Sequence, residues 1–378
     1  MTNITRRQFV QQFAVAGTLV VRTGVASTRQ IRRFETRGDG FARGKQQGQA
    51  CRDVFLPWMD RLLKERAKRL GLSSRAEYVS RVRREVDRWR DYMEAADHQA
   101  FEECRGLQAA LGVDEPTYFA THFNTELPNI LPQCTVVGLR DSDGRPLVGK
   151  TDDVAEWEVG MNVLEMASPN RGYRHAHFHF AGTIWTVAGM NEKGLSMGMN
   201  GIPAPVVEGA GLSSLTALHT ILPNCATVAN AIEYIRGLRL NCGGFSLLLG
   251  DATGAIALVE KTAAGTAVLP EQQKGTFVHA NDILDAGFAA KNPPSSEPIE
   301  TNSHRRYENA LRRVKAGVGI EQILTDRTPR GAICQRGEDG MYTDFAVIFA
   351  SVERKFKFWP GPVGIQVAET VELAKMSR

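Results

Sequence analysis

The sequence predicts a layered α+β protein with largely antiparallel sheets. Residues 45–111 place apolar side chains at three- and four-residue spacing, which is the helical period. From Cys134 onward the chain instead breaks into short β-prone runs separated by turn signals. Two further helical patterns, at about 213–237 and 303–316, interrupt those runs. With 378 residues, 43% hydrophobic and 23% charged, the chain suffices for one large domain or two small ones.

Taken in order, the first residues read as an address. Arg6-Arg7 precede a mostly apolar run from Phe9 to Val21, and small residues lead to Ala26. That is the pattern of a twin-arginine export signal over residues 1–26, too short to span a bilayer as a stable helix. It predicts a periplasmic or secreted chain beginning near Ser27, with no membrane span in the mature protein. Residues 1–133 carry 22 basic and 16 acidic residues, against 24 and 26 in residues 134–378. Removing the three arginines of 1–26 brings the net charge from +4 to about +1, which excludes a nucleic-acid partner.

The helical stretch "DVFLPWMDRLLKERAKRLG" stops at Gly71, and the one ending "LQAALG" stops at Gly112. Their arginines alternate with acids, as on a solvated face. The β-prone runs that follow are "TVVGLR", "PLVGK", "NVLEMA", "HAHFHFAG", "LSMGMNG", "FSLLLGD", "IALVEK", "TFVHAN", "FAVIFASVER" and "KFKFWPG". "NPPSSEP" at 292–298 has the composition of an exposed loop. The six cysteines (51, 104, 134, 225, 242 and 334) show no C-x-x-C spacing, so no zinc ribbon or thioredoxin-type site is indicated.

Cys134 heads a strand-like run whose return strand ends in charge: "CTVVGLRDSDGRPLVGKTDD". With Asp143-Gly144 as the centre of a two-residue turn, Cys134 faces Asp153, and a carboxylate stands beside the thiol. A loop one residue different would substitute Asp152 or Val154. Lys150 has the wrong parity for that face in this register.

These residues resemble N-terminal-nucleophile (Ntn) hydrolases of the penicillin acyltransferase, choloylglycine hydrolase and acid ceramidase kind. Cys134-Thr135 matches the pair that opens their catalytic subunit, and "GKTDD" matches the element after the first hairpin, with Lys150 basic and Asp153 acidic. "GMNEKGLSMGMNG" (189–201) matches their G-x-N-E-x-G-L…N signature and ends on Asn200. Asn281 in "FVHANDIL" and Arg306 in "NSHRRY" are similar to a further active-site asparagine and arginine. Three positions depart from the pattern: Gln133 stands where glycine is usual, lysine replaces arginine at 150, and Ser246 replaces a common asparagine.

The resemblance implies a four-layer α/β/β/α sandwich. In it a helical segment, 27–133, and a catalytic segment, 134–378, form one domain. It implies self-cleavage at Gln133-Cys134, which frees the Cys134 thiol as nucleophile and its α-amine as base. Asp153 would orient the amine, Lys150 would favour the thiolate, and Asn200 and Asn281 would donate to an oxyanion. Arg306 completes the expected set. The expected substrate is a small N-acyl amide or peptide-like molecule, with hydrolysis or acyl transfer as the outcome and no cofactor or metal assigned. A competing reading comes from "RHAHFHF": His175, His177 and His179 share one strand face, as in a metal-binding protein or metal-dependent hydrolase. A catalytically silent ligand-binding member is the other alternative.

Overall fold

The computed structural model describes residues 30–122, 133–204, 209–291 and 301–373. The export-signal reading of 1–26 and the loop reading of 292–298 lie outside them. A strand not evident from the sequence pattern, β1 (Arg32–Gly38), precedes helices α1 (Gly40–Arg69), α2 (Arg75–Ala96), α3 (His98–Leu111) and α4 (Glu115–His122). Side-chain caps start three of these helices: Asp39, Ser74 and Asp97 accept from Ala42, Glu77 and Ala100 N–H respectively. Gly112 ends α3 in the left-handed conformation (φ 68°).

The strands are β2 (Gln133–Arg140), β3 (Pro146–Ala155), β4 (Asn162–Pro169), β5 (His175–Phe180), β6 (Thr186–Asn191) and β7 (Ser196–Ile202). They continue with β8 (Leu212–Ser213), β9 (Leu240–Cys242), β10 (Gly244–Gly250), β11 (Ile256–Thr262) and β12 (Gly265–Leu269). Last come β13 (Phe277–His279), β14 (Met341–Ala350), β15 (Lys355–Pro360) and β16 (Glu369–Glu372). The expected helical block at about 213–237 is three helices, α5 (Ser214–His219), α6 (Ile221–Asn224) and α7 (Val228–Gly237). Then follow α8 (Ala286–Lys291), α9 (Asn302–Lys315), as the pattern at 303–316 predicts, and α10 (Ile320–Leu324).

Two sheets carry the fold. One has the order β1-β4-β5-β6-β7-β10-β11-β12 and is antiparallel except for β1 beside β4. The other, β13-β2-β3-β14-β15-β16, is antiparallel throughout. Their inner faces meet through apolar contacts such as Phe178 of β5 stacked on Phe345 of β14, ring centroids 4.4 Å apart. On the outside of the second sheet, Val137, Ala346 and Ile348 pack with Ala310 and Val314 of α9 and Ile323 of α10. On the outside of the first sheet lie α1 and α3. The result is the four-layer α/β/β/α sandwich. Among the described residues no helix is long and apolar enough to cross a membrane.

Helices α1 and α3 cross with their backbones in contact. A β-carbon at Gly44 would lie 1.9 Å from the Glu103 carbonyl oxygen, and one at Gly106 would lie 2.1 Å from the Phe41 carbonyl oxygen. Helix propensity alone favours alanine over glycine by roughly 1 kcal/mol. Here the overlap with backbone wins. We expect Gly44→Ala to destabilise the chain by a net ~1–3 kcal/mol, read from the urea midpoint; an unchanged or raised midpoint would show that the helices separate freely.

Candidate active site

The hairpin β2–β3 decides which carboxylate meets the thiol. Its connection is a five-residue loop, Asp141–Arg145, because Arg140 pairs with Pro146. Asp141 builds that loop: its Oδ1 accepts from Asp143 N and Arg145 N at 2.9 Å each. Its carbonyl accepts from Gly144 N at 3.0 Å, with Gly144 at φ 79°. The expected two-residue turn is therefore corrected by one position. Cys134 faces Asp152, and Asp153 faces Gln133.

The same shift corrects the parity of Lys150. Lys150 pairs with Val136 and so lies on the Cys134 face, between the sheets. Its Nζ is 3.0 Å from Asp152 Oδ1 and donates to the Met199 carbonyl of β7 at 2.7 Å. Cys134 Sγ donates to the same Asp152 Oδ1 at 3.4 Å. Asp152 Oδ2 accepts from Asn162 Nδ2 at 2.8 Å, and Asn162 Nδ2 also donates to Asp344 Oδ2 at 3.0 Å. Asp344 is the extra residue of a β-bulge in β14, between Thr343 opposite Asp153 and Phe345 opposite Asp152. A pocket of about 190 Å³ has Asn162 and Asp344 in its wall.

Arg306 and Asn281 grip the Cys134 backbone. Cys134 N–H donates to Asn281 Oδ1 at 3.0 Å. The Arg306 guanidinium donates to the Cys134 carbonyl, to Thr135 Oγ1 at 2.9 Å and to Asn281 Oδ1 at 2.7 Å. Asn302 Oδ1, one turn earlier on α9, accepts from Arg306 Nε at 2.6 Å. Arg305, the neighbouring candidate, points to Asp339 on the surface side. Asn281 Nδ2 donates to the Gly201 carbonyl at 2.8 Å. Asn200 stands one position earlier on the same strand, and its Nδ2 donates to the His279 carbonyl at 2.9 Å.

Cys134, Lys150, Asn281 and Arg306 are thus brought together, with Asn200 of β7 bonded to the carbonyl of His279, two residues before Asn281. Asp153 is set on the other face, accepting from Thr343 Oγ1 at 2.5 Å and Gln335 Nε2 at 2.8 Å. Sequence reasoning missed Asn162 and Asp344, which come from strands that only the inter-sheet packing brings near Cys134. It named Asp152 only as the neighbour in register. It also missed His279, whose ring joins Ser246 Oγ (2.9 Å) to Glu260 Oε1 (2.9 Å) beside Asn200.

The family model for acyl-coenzyme A:6-aminopenicillanic acid acyl-transferase (AAT) matches residues 139–359, more than half of the chain. The chain belongs to this family. The matched span holds Lys150, Asp152, Asp153, Asn200, Asn281 and Arg306, and Cys134 lies just ahead of it. No match is found among curated proteins. Among solved structures it is similar to penicillin V acylase from Agrobacterium tumefaciens, at 16% identity and TM-score 0.45, covering 64% of this chain and 87% of that one. It is also similar to conjugated bile acid hydrolase from Clostridium perfringens (12%, TM-score 0.41, covering 65% and 93%). A third is the Caenorhabditis elegans ortholog of N-acylethanolamine-hydrolyzing acid amidase (13%, TM-score 0.40, covering 63% and 100%).

Burial dominates the electrostatics of the site. Burial pushes the Cys134 thiol up to about 12; Lys150 opposes that shift, and Asp152 and Asp153 reinforce it. Burial pulls the Lys150 ammonium toward neutrality, but the charges of Cys134 and Asp152 outweigh it and hold its pKa above the ordinary value. Burial raises the Asp153 carboxyl to about 6 despite the nearby Arg306. Asp344 is likewise raised to about 6 by burial.

A carboxyl raised to about 6 in the folded chain, against an ordinary value of 3.8, binds its proton more tightly folded than unfolded. Its stabilising contribution is complete below pH ~4 and is lost as pH rises to ~6, an amount on the order of 3 kcal/mol. Asp153→Asn removes that loss. We expect the variant to show a higher urea midpoint than the parent at pH 7.5 and an equal one at pH 4. A lower midpoint at pH 7.5 would show that the ionised carboxylate stabilises the fold.

Proposed function

We propose that the chain is an exported cysteine amidohydrolase or acyltransferase that cleaves small N-acyl amides or peptide-like amides, after cutting itself at Gln133-Cys134. The observation that carries this reading is the Cys134 thiol directed at Asp152, itself paired with Lys150, with Arg306 and Asn281 fixing the Cys134 backbone on both sides. The family membership supports the class of chemistry, and the twin-arginine pattern supports export to the periplasm or beyond.

In the first step Sγ attacks the Gln133 carbonyl carbon, and its proton passes by way of Asp152 to the departing Cys134 nitrogen. Water then hydrolyses the resulting thioester, leaving a carboxyl on Gln133 and a free α-amine on Cys134. That amine, with an ordinary pKa near 8, takes the thiol proton in each later turnover and returns it to the amine leaving group. Lys150 favours the thiolate. Asn200 and Asn281 supply amide hydrogens to the tetrahedral oxyanion, and loss of one such donor costs about 3 kcal/mol of barrier. Asp153, beside the scissile bond and facing Arg306, is a positioning residue.

Intact-mass measurement and N-terminal sequencing test this. The active protein is expected as two pieces, one beginning Cys-Thr-Val-Val. Cys134→Ala is expected as one uncut chain without activity. Full activity from an uncut parent chain would exclude the α-amine as base.

Asn200→Ala is expected to lower kcat by roughly 100-fold, with little change in KM, because an oxyanion donor acts in the transition state. A change confined to KM would make Asn200 a substrate-binding residue.

A further inference from the structure

The three histidines of β5 lie on the opposite face of their strand from Phe178, which points into the inter-sheet core. They face α1 and α3 on the outside of the first sheet, away from Cys134. Glu165 of β4 pairs directly with His177. Glu165, His177 and His179 are at most 2% exposed. Glu165 Oε2 lies 3.4 Å from His177 Nε2 and 3.1 Å from His179 Nε2, yet none of these three atoms has a hydrogen-bond partner. His175 is not one of the group; its Nδ1 bonds the Tyr173 carbonyl.

Hydrogen bonds at the other ring nitrogens allow both Nε2 atoms to carry lone pairs. His179 Nδ1 is 3.0 Å from the Phe180 carbonyl, which only accepts, and a proton on Nδ1 that serves it leaves the lone pair on Nε2. Gln47 Nε2 also approaches that Nδ1 at 3.2 Å while donating to the Thr183 carbonyl at 2.8 Å. His177 Nδ1 is 2.9 Å from Thr186 Oγ1, which is 3.1 Å from His219 Nδ1. His219 Nε2 donates to Glu103 Oε2 at 3.1 Å, and Arg43 pairs with the same carboxylate. With His219 neutral and the Thr186 hydroxyl donating to its Nδ1, Thr186 accepts from His177 Nδ1–H, and that arrangement leaves the His177 lone pair on Nε2. The second oxygen of Glu165 accepts from Thr36.

On this assignment two imidazole lone pairs and a carboxylate oxygen converge, buried, with no hydrogen bond of good geometry among them, where unpaired polar atoms are costly. We propose that Glu165, His177 and His179 bind a zinc ion through three protein ligands. The two measured separations, 3.1 and 3.4 Å, match the roughly 3.3 Å edge of a tetrahedron with zinc–ligand bonds of ~2.0–2.1 Å. The third separation, between the two imidazole nitrogens, is bounded only at 4.8 Å, so the rings close on the ion when it binds. Two nitrogens and one oxygen form a borderline donor set that suits zinc. The supporting shell is present as well: Phe180 O and Thr186–His219–Glu103 fix both ring orientations. The ligands all follow Cys134 in the chain, and Thr36, Gln47 and Glu103 of the surrounding shell all precede it. The ion ties β4 to β5 directly, and the shell around it joins those strands to the N-terminal layer, a role separate from amide cleavage.

The test uses the full chain from zinc-supplemented culture, as parent and as Cys134→Ala, which removes the reactive thiol as a competing site. Elemental analysis is expected to find one zinc per chain in both, and none above background in Glu165→Gln. After chelation, added zinc is expected to raise the melting temperature of the parent by about 5 °C and that of Glu165→Gln not at all. Equal zinc content, or an equal thermal shift, in parent and Glu165→Gln overturns the site. Should Glu165→Gln fail to fold, cobalt(II) added to the chelated parent decides: tetrahedral ligand-field absorption supports the site, and its absence overturns it.

Discussion

The structure depends on burying one ion pair between two sheets. Lys150 and Asp152 are inaccessible to solvent, 3.0 Å apart. Removing two charges from water costs several kcal/mol per ion unless their remaining hydrogen-bonding capacity is met. It is met by elements remote in sequence: the Met199 carbonyl of β7 for the ammonium, and Asn162 and the Cys134 thiol for the carboxylate. The pair therefore fixes the spacing of the sheets at β3 and β7. Gly198 lets that approach occur, since a β-carbon there would come within 3.2 Å of Lys150 Cβ. The bulge at Asp344 belongs to the same solution, because it turns one more carboxylate toward Asn162 without breaking the strand pairing on either side.

How far this was legible in the sequence depends on distance along the chain. Periodicity located α1, α2, α3 and α9 and ten of the strands, and the turn chemistry at Asp143-Gly144 located the hairpin. It missed β1, a parallel edge strand whose sequence "RRFETRG" carries no apolar alternation, and also β6, β8, β9, β12 and β16. The hairpin register failed by one residue because Asp141 uses its side chain to close a longer loop, and side-chain closure is not visible as a residue pair. That single position exchanges Asp153 for Asp152 beside the thiol and brings Lys150 onto the right face. Asn162 and Asp344 had no local signal, since their place beside Asp152 is set by β4 and by a bulge in β14.

The first sheet separates two kinds of buried polar chemistry by face. Inward, Asn200, Ser246 and Glu260 form a row across β7, β10 and β11, as their pairing register requires, and His279 of the opposite sheet enters that row. Outward, Glu165 and the histidines of β5 face α1 and α3. Period-2 alternation makes this separation unavoidable: a strand that places Phe178 in the inter-sheet core must turn His177 and His179 the other way. The histidine-rich strand and the cysteine hairpin, competing readings of the sequence, are compatible because they occupy different layers.

The protonated thiol of the uncut chain is a consequence of the same burial that makes the pair work. With its nitrogen locked in a peptide and donating to Asn281, Cys134 has Lys150 and, at its carbonyl, Arg306 as cationic neighbours against burial and two aspartates. On the proposed mechanism, cutting the Gln133-Cys134 bond changes that balance. It introduces a titratable amine on Cys134 itself, opposite Asp152 in register, and a protonated amine there adds a further positive charge within one residue of Sγ. Both effects lower the energy of the thiolate relative to the thiol. On the proposed mechanism the site is thus held inactive by electrostatics until self-cleavage supplies the missing charge, and the peptide bond that suppresses the nucleophile is the first bond it breaks.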